Sequence, residues 1–328
     1  MREEYRERIA EKIRREFAPI AAYLDDPAVV EVMLNADGSI WIDSLKEGMK
    51  ITDTKIARDR ALLLMGSIAR LNSKSITEKE PLLKATMPDG QRFQGMIEPV
   101  VSAPVFAIRC NRACNISLED YVPLRMSGQM ADLLRSALVE KKNIIVSGGT
   151  GSGKTTLTAA LLKELAVLCP EDRIAIMEDT REINIDAKNV VFELANDDVS
   201  MCDLLAANLR MRPDRIILGE TRGAEALDLL KSWNTGHPGG VCTLHANSAM
   251  SALARFETLI LEAQNLSISY IRSLISDAVN LIVHIQRDRK LGGPIVQEII
   301  EVNGIDLEGN YKTKVLMSHT QNKGGVAA

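Results

Sequence analysis

Aromatic side chains make up only 4% of this 328-residue chain. That scarcity argues against a surface built to stack nucleic-acid bases. Positive charge is not in excess either. Forty Lys and Arg stand against 44 Asp and Glu, a formal net charge of −4, so the chain as a whole has no electrostatic pull toward nucleic acid or anionic lipid. Long apolar runs are missing. Ala61-Leu62-Leu63-Leu64-Met65 and the stretch broken by Lys163-Glu164 fall well short of the roughly 18 residues a membrane span needs. Met1-Arg2-Glu3-Glu4-Tyr5-Arg6-Glu7 is too charged for a signal peptide, so a cytoplasmic protein is expected, with any membrane association peripheral. Cysteines are few: Cys110, Cys114, Cys169, Cys202 and Cys242 are odd in number and irregular in spacing, which excludes a disulfide framework and fits reduced thiols. Cys110 and Cys114 have the spacing of half a zinc site, but no second Cys/His pair stands at ligand spacing.

Against these absences one stretch stands out. Gly148-Gly149-Thr150-Gly151-Ser152-Gly153-Lys154-Thr155 fits the G-x-x-x-x-G-K-[ST] phosphate-binding loop, with Thr156 following. The apolar run Asn143-Ile144-Ile145-Val146 precedes it and Leu157-Thr158-Ala159-Ala160-Leu161-Leu162 follows, the strand–loop–helix context such a loop requires. Glycines let successive backbone N–H groups turn toward one anion, and the helix N-terminus adds partial positive charge. Lys154 then reaches the β- and γ-phosphates of ATP, and the Thr155 hydroxyl ligates Mg²⁺.

The organisation along the chain is that of two domains. Tyr5, Ile9, Ile13 and Phe17 recur every four residues and predict an amphipathic first helix. Strands are expected at 29–34, 40–43, 83–87, 92–97 and 105–109, with a helix from Ala57 to Leu71. Residues 1–115 thus read as a small α+β domain and 116–127 as a linker. From Gly128 the rhythm becomes helix 128–140, strand 143–147, helix 153–168, strand 173–178, helix 200–211, strand 214–219, helix 222–233 and strand 240–244. Helical segments over 248–278 and strands at 280–286 and 295–302 complete a 128–320 domain, and 321–328 read as a disordered tail. The fold class is therefore α/β: a RecA-like P-loop domain, mostly parallel with helices on both faces, behind a smaller α+β domain.

A P-loop ATPase needs carboxylates at neighbouring strand ends. Ile174-Ala175-Ile176-Met177 ends in Glu178-Asp179, with Glu182 shortly after, and Ile216-Ile217-Leu218 ends in Gly219-Glu220. Two of only four histidines, His237 and His245, bracket the apolar run at 241–244, and His245 stands where a phosphate sensor would.

Gly148 to Thr156, Glu178-Asp179-Thr180-Arg181-Glu182, Leu209 to Gly223 and Thr235-Gly236-His237 through His245-Ala246-Asn247 occur in this order. Together they resemble the secretion traffic ATPases of type IV secretion, type II secretion and type IV pili. Glu31-Val32-Met33-Leu34-Asn35 through Asp43 are most similar to the TrbB-type conjugal-transfer branch. The resemblance implies a homo-hexameric ring that hydrolyses ATP with Mg²⁺ and meets inner-membrane components of a secretion or conjugation machine. No direct sequence-specific nucleic-acid binding is expected, given the acidic balance and few aromatics. Gly148 to Thr155 match its Walker A, Glu178 and Glu182 its acidic box, Glu220 its atypical Walker B, and His237 and His245 its His box. Arg210 and Arg222 match arginines of the Walker B segment, and Arg109 matches an N-terminal-domain arginine facing the nucleotide, although Cys110 follows it where Lys is frequent. The resemblance leaves the division of work between Glu178 and Glu220 open. The expected division is Glu220 on the water and Glu178 on Mg²⁺, directly or through water. Pilus or type II assembly, a nucleic-acid translocase and a non-hydrolysing scaffold are the alternatives.

Overall fold

The computed structural model describes residues 3–44, 47–110, 116–288 and 293–319. Cys114 and the tail at 321–328 lie outside the described residues. The chain divides into two compact units, Met1–Arg112 and Ala113–Ala328.

The first unit contains helices α1 (Glu3–Glu16), α2 (Ala21–Asp25) and α3 (Arg58–Leu71). Its strands are β1 (Val29–Leu34), β2 (Ser39–Ser44), β3 (Gly48–Lys55), β4 (Leu82–Thr86), β5 (Arg92–Met96) and β6 (Val105–Arg109). They form one antiparallel sheet in the order β3-β2-β1-β6-β5-β4. Alternation decides its faces: Val32, Leu34, Phe106 and Ile108 are buried with Ile13 of α1 and Leu64, Met65 and Ile68 of α3. Strand β3 was not anticipated, because an edge strand with both faces largely exposed carries no apolar alternation.

The second unit contains α4 (Gly128–Val139), α5 (Lys154–Leu168), α6 (Met201–Asn208), α7 (Glu225–Asn234), α8 (Ala249–Ala263) and α9 (Ile268–Ala278). Its strands are β7 (Ile144–Gly148), β8 (Ile174–Glu178), β9 (Val190–Leu194), β10 (Arg215–Thr221), β11 (Val241–His245), β12 (Leu281–Asp288), β13 (Gly293–Ile305) and β14 (Tyr311–Ser318). The sheet order is β14-β13-β12-β7-β11-β10-β8-β9. Pairs from β12 to β9 are parallel; β13 and β14 add antiparallel at one edge. Side chains of α4 and α5 fill one face and those of α6, α7, α8 and α9 the other, so apolar runs buried on both sides were read correctly as central strands. The edge strands β9 and β14, half-buried at best, were not foreseen.

Residues 116–127, expected as a linker, belong to this unit's packing. Leu118, Tyr121 and Met126 are fully buried in its core, and Glu119–Tyr121 form a 3₁₀ turn. Asn143 braces the amino end of β7. Its Oδ1 accepts from the N–H groups of Gly239 (2.7 Å) and Gly240 (3.0 Å), and its Nδ2 donates to Ala278 O at 2.6 Å. Among the described residues no helix is long and apolar enough to cross a membrane.

Candidate active site

The parallel strands end together on one side of the sheet, where ligands of open α/β folds bind. In spatial order β7, β11, β10 and β8 end at Gly148, His245, Thr221 and Glu178. Strand β11 therefore lies between the strand that feeds the Gly-rich loop and the strand that carries Glu220.

The loop is built from two kinds of glycine. A Cβ on Gly148 would overlap the backbone oxygen of Ile285 and Ser152 Oγ, and one on Gly153 would come within 2.9 Å of the Pro294 ring. These two are needed so that the β12–β13 hairpin can pack against the loop. Gly149 and Gly151 face open space, and Gly151 (φ +68°) and Gly153 (φ +93°) hold a left-handed backbone that other residues adopt only with strain. Ser152 Oγ is buried with no hydrogen-bond partner among the described residues, beside the amino end of α5. An open cradle, an orphan hydroxyl and a helix N-terminus fit a phosphate group. Lys154 is 7% exposed and donates to the carbonyls of Gly148 (3.1 Å) and Gly149 (2.9 Å), which keeps its ammonium over the loop.

From Lys154 a chain of polar contacts crosses the strand ends. Lys154 Nζ is 3.3 Å from His245 Nδ1, and His245 Nε2 is 2.7 Å from Glu220 Oε1. An ammonium only donates, so its contact with Nδ1 leaves the imidazole proton on Nε2, the nitrogen that lies close to Glu220. Arg222 pairs with Glu220 through one guanidinium nitrogen and with Asp179 Oδ2 (2.8 Å) through another. Burial pushes the Glu220 carboxyl up, but Arg222, then His245 and Lys154, outweigh it and hold it below the usual carboxylate range. Burial and then Lys154 push the His245 imidazole down, against Glu220, which pulls it up.

Glu178 is buried, and its carboxylate accepts the N–H groups of Glu182 and Ile183, each at 3.1 Å to Oε1. It lies so close to β10 that a Cβ on Gly219 would come within 2.7 Å of Glu178 Cγ. Thr155 and Thr156 are half-buried in the first turn of α5.

A profile of the family described as "Type II/IV secretion system protein" matches residues 14–306. The chain is also 44% identical over 293 residues to the conjugal transfer protein TrbB of Rhizobium radiobacter, covering 89% of this chain and 88% of that one. The chain belongs to the type II/IV secretion system family. Within that family it is 31% identical over 299 residues to the type IV secretion system protein PtlH of Bordetella pertussis, covering 81% of this chain and 87% of that protein. Among solved structures it resembles the Legionella pneumophila ATPase DotB with a TM-score of 0.61, at 16% identity and covering 90% and 78% of the two chains. The pilus retraction motor PilT gives the same TM-score at 20% identity, covering 92% and 84%. Those two likenesses establish the fold.

Not every residue singled out from the sequence of this family member reaches the cluster. His237 precedes β11 and Arg210 precedes β10, so both lie toward the amino ends of these strands, whereas Lys154 and Glu220 lie at the carboxyl ends. Four strand steps of about 3.3 Å put roughly 13 Å between the two edges. His237 Nδ1 is buried without a partner among the described residues, and Arg210 is exposed. Within one copy of the unit, the structure brings neither to Lys154. Arg109 ends β6 in the first unit, exposed, opposite Glu31 on one side and Arg92 on the other. Sequence reading gave no separate role to Asp179, which anchors Arg222, although it stands in the quoted acidic stretch. It also gave no role to Ser147 or His284, a buried pair behind the loop.

In a ring-nitrogen NMR titration of the purified chain, His245 should protonate below the ordinary histidine value of about 6.5. Lys154→Ala should raise that midpoint and Glu220→Gln should lower it further, because the ammonium disfavours and the carboxylate favours imidazolium. Shifts of the opposite sign would show that these groups do not face His245.

Proposed function

We propose that this chain is an ATPase that hydrolyses ATP to ADP and phosphate as the homo-hexameric motor of a conjugal-transfer type of type IV secretion machine. The observation that carries the reading is the contact of Lys154, His245 and Glu220 across three adjacent strand ends. Interposing β11 sets β7 and β10 two strand spacings apart, about 10 Å. That is room for a terminal phosphate and an attacking water between Lys154 and Glu220.

In this reading the N–H groups of the Gly149–Lys154 turn and the Ser152 hydroxyl hold the β-phosphate, with Gly148, Thr150 and Thr156 completing the loop. Lys154 leaves the loop carbonyls for the β- and γ-oxygens. Mg²⁺, when bound, neutralises charge building on those oxygens; the Thr155 hydroxyl would hold it, and Glu178 would order its water shell. A carboxylate held by two backbone N–H groups is fixed in place, which suits that role better than proton transfer. Glu220 orients and polarises the attacking water. Arg222, held by Asp179, keeps Glu220 ionised and aimed, and His245 passes from Glu220 to the γ-phosphate as the sensor of its presence. Arg109, His237 and Arg210 serve the nucleotide in the assembled ring, as the family resemblance implies.

The 44% identity to a conjugal transfer protein, against 20% to a pilus retraction motor, favours conjugation over pilus assembly. A peripheral seat on inner-membrane components of such a machine, at its cytoplasmic face, follows from the same reading. A net charge of −4 does not favour a nucleic-acid translocase.

Glu220→Gln should retain ATP binding and lose about 100-fold in turnover, the range for removing a group that activates the nucleophile. Glu178→Gln should instead raise the Mg²⁺ concentration needed for half-maximal turnover. Single-turnover hydrolysis across a Mg²⁺ series checks both, and the reverse pattern would exchange the roles. Light scattering in the presence of ATP should give six copies; a strict monomer that turns over ATP efficiently would contradict the ring.

A further inference from the structure

Behind the phosphate loop the sheet carries a row of polar side chains where its surroundings are aliphatic. Ser147, the residue before Gly148, is fully buried, and its Oγ lies 3.0 Å from Nδ1 of His284, itself 5% exposed. His284 faces Ser147 in the parallel pairing of β12 with β7 and Glu298 in the antiparallel pairing of β12 with β13. Paired residues share a sheet face, so Glu298, His284 and Ser147 stand in line. Glu298 in turn accepts the N–H of Ala249, the first residue of α8, at 3.2 Å, where the helix dipole favours an anion.

That row runs beside a second connection to the loop. The segment Ala246-Asn247-Ser248 joins His245 to α8. Its amino end is tied to the phosphate loop by the Ala246 N–H, which lies 3.4 Å from Gly148 O. Its carboxyl end is tied by the Ala249 N–H to Glu298, which faces His284 across the β12–β13 ladder and acts on its imidazole by charge, and His284 contacts Ser147, the residue before Gly148. Neighbouring positions on β12 are Ile282, Val283 and Ile285, all buried. Aliphatic side chains would fill the row without the desolvation cost that buried polar groups carry. Packing alone gives no reason for a histidine there.

We propose that His284 is a positioning residue for ATP hydrolysis, holding the His245 segment in register with the phosphate loop through Ser147 on one side and Glu298 on the other. The inference rests on the ATPase reading above. It deepens that reading by making the β12–β13 hairpin part of the site. The loop's own N–H groups do not depend on the row, so nucleotide affinity is nearly independent of it. The approach of His245 to Glu220 and the γ-phosphate is not. A displacement near 1 Å at reacting groups costs up to about 100-fold in rate, so a partial loss of register should cost about tenfold.

The test uses the full chain with His284→Leu, His284→Asn, Ser147→Ala and the Leu/Ala double variant. Asparagine can place a polar atom near the site of Nδ1; leucine cannot. In His284→Leu, kcat should fall about tenfold with ATP affinity within about threefold of wild type. His284→Asn should restore most of the loss. The double variant should be no worse than the worse single one, because both break one connection. Hydrogen exchange gives a second readout that needs no turnover: amides of 246–252 should exchange at least about tenfold faster in His284→Leu, with 157–165 of α5 unchanged. If wild type is inactive the ATPase reading fails, and exchange alone still decides the brace. If His284→Leu fails to fold, Ser147→Ala must show both the lost kcat and the faster exchange. Wild-type kcat and exchange in a folded His284→Leu, equal damage in the Asn and Leu variants, or additive losses would each overturn the proposal.

Discussion

Strand β11 running parallel between β7 and β10 is the constraint from which the site follows. Its register sets His245 beside Gly148, and its width keeps Glu220 one strand further away. A sheet with β7 and β10 adjacent would bring Lys154 and Glu220 into direct contact and leave no space for a phosphate between them. The intervening strand makes the imidazole the bridge, touching the ammonium at one nitrogen and the carboxylate at the other. Strand ends position these groups well because each side chain leaves a backbone fixed by ladder hydrogen bonds on both sides. The runs at 144–147, 174–177, 216–218 and 241–244 are buried on both faces of the sheet.

The opposite edge of the sheet and the hairpin beside it maintain this arrangement. Asn143 ties the amino end of β7 to the Gly239–Gly240 turn before β11 and to the Ala278 carbonyl before β12, so three neighbouring strands start in a fixed stagger. At the other end the β12–β13 hairpin closes on the loop at Gly148 and Gly153. The two glycines usually credited to phosphate binding are thus also demanded by the fold, whereas Gly149 and Gly151 leave the side of the loop open. Polar groups buried along the way, Asn143, Ser147 and His284, are hydrogen-bonded, as their desolvation requires.

Much of this was legible in the sequence, for reasons that also explain the rest. The Gly-rich loop is local, so its residues and spacing carried its conformation. Glu178, Glu220 and His245 each follow a short apolar run, and a polar residue ending a buried strand can be placed at a sheet edge without knowing the sheet. Strand order is not local. Nothing in the sequence puts β11 between β7 and β10, so the bridging place of His245 was not readable. His237 and Arg210 were grouped with the site by resemblance, yet each precedes its strand and so sits toward the far edge of the sheet. The edge strands β3, β9 and β14 escaped because they bury little. The stretch at 116–127 passed for a linker because three buried residues, Leu118, Tyr121 and Met126, are too widely spaced to signal packing. Ser147 and His284 are 137 residues apart and neither belongs to a motif, so only the fold joins them.

The central claim is that the ammonium of Lys154 acts on ATP phosphates while the surrounding strands hold the site without it. Phosphate release from Mg·ATP by the purified chain and by Lys154→Ala, with unfolding midpoints measured on both, tests it directly. The account predicts sustained release by wild type and none above background from a variant whose midpoint is little changed. A folded Lys154→Ala variant that releases phosphate at the wild-type rate would contradict it.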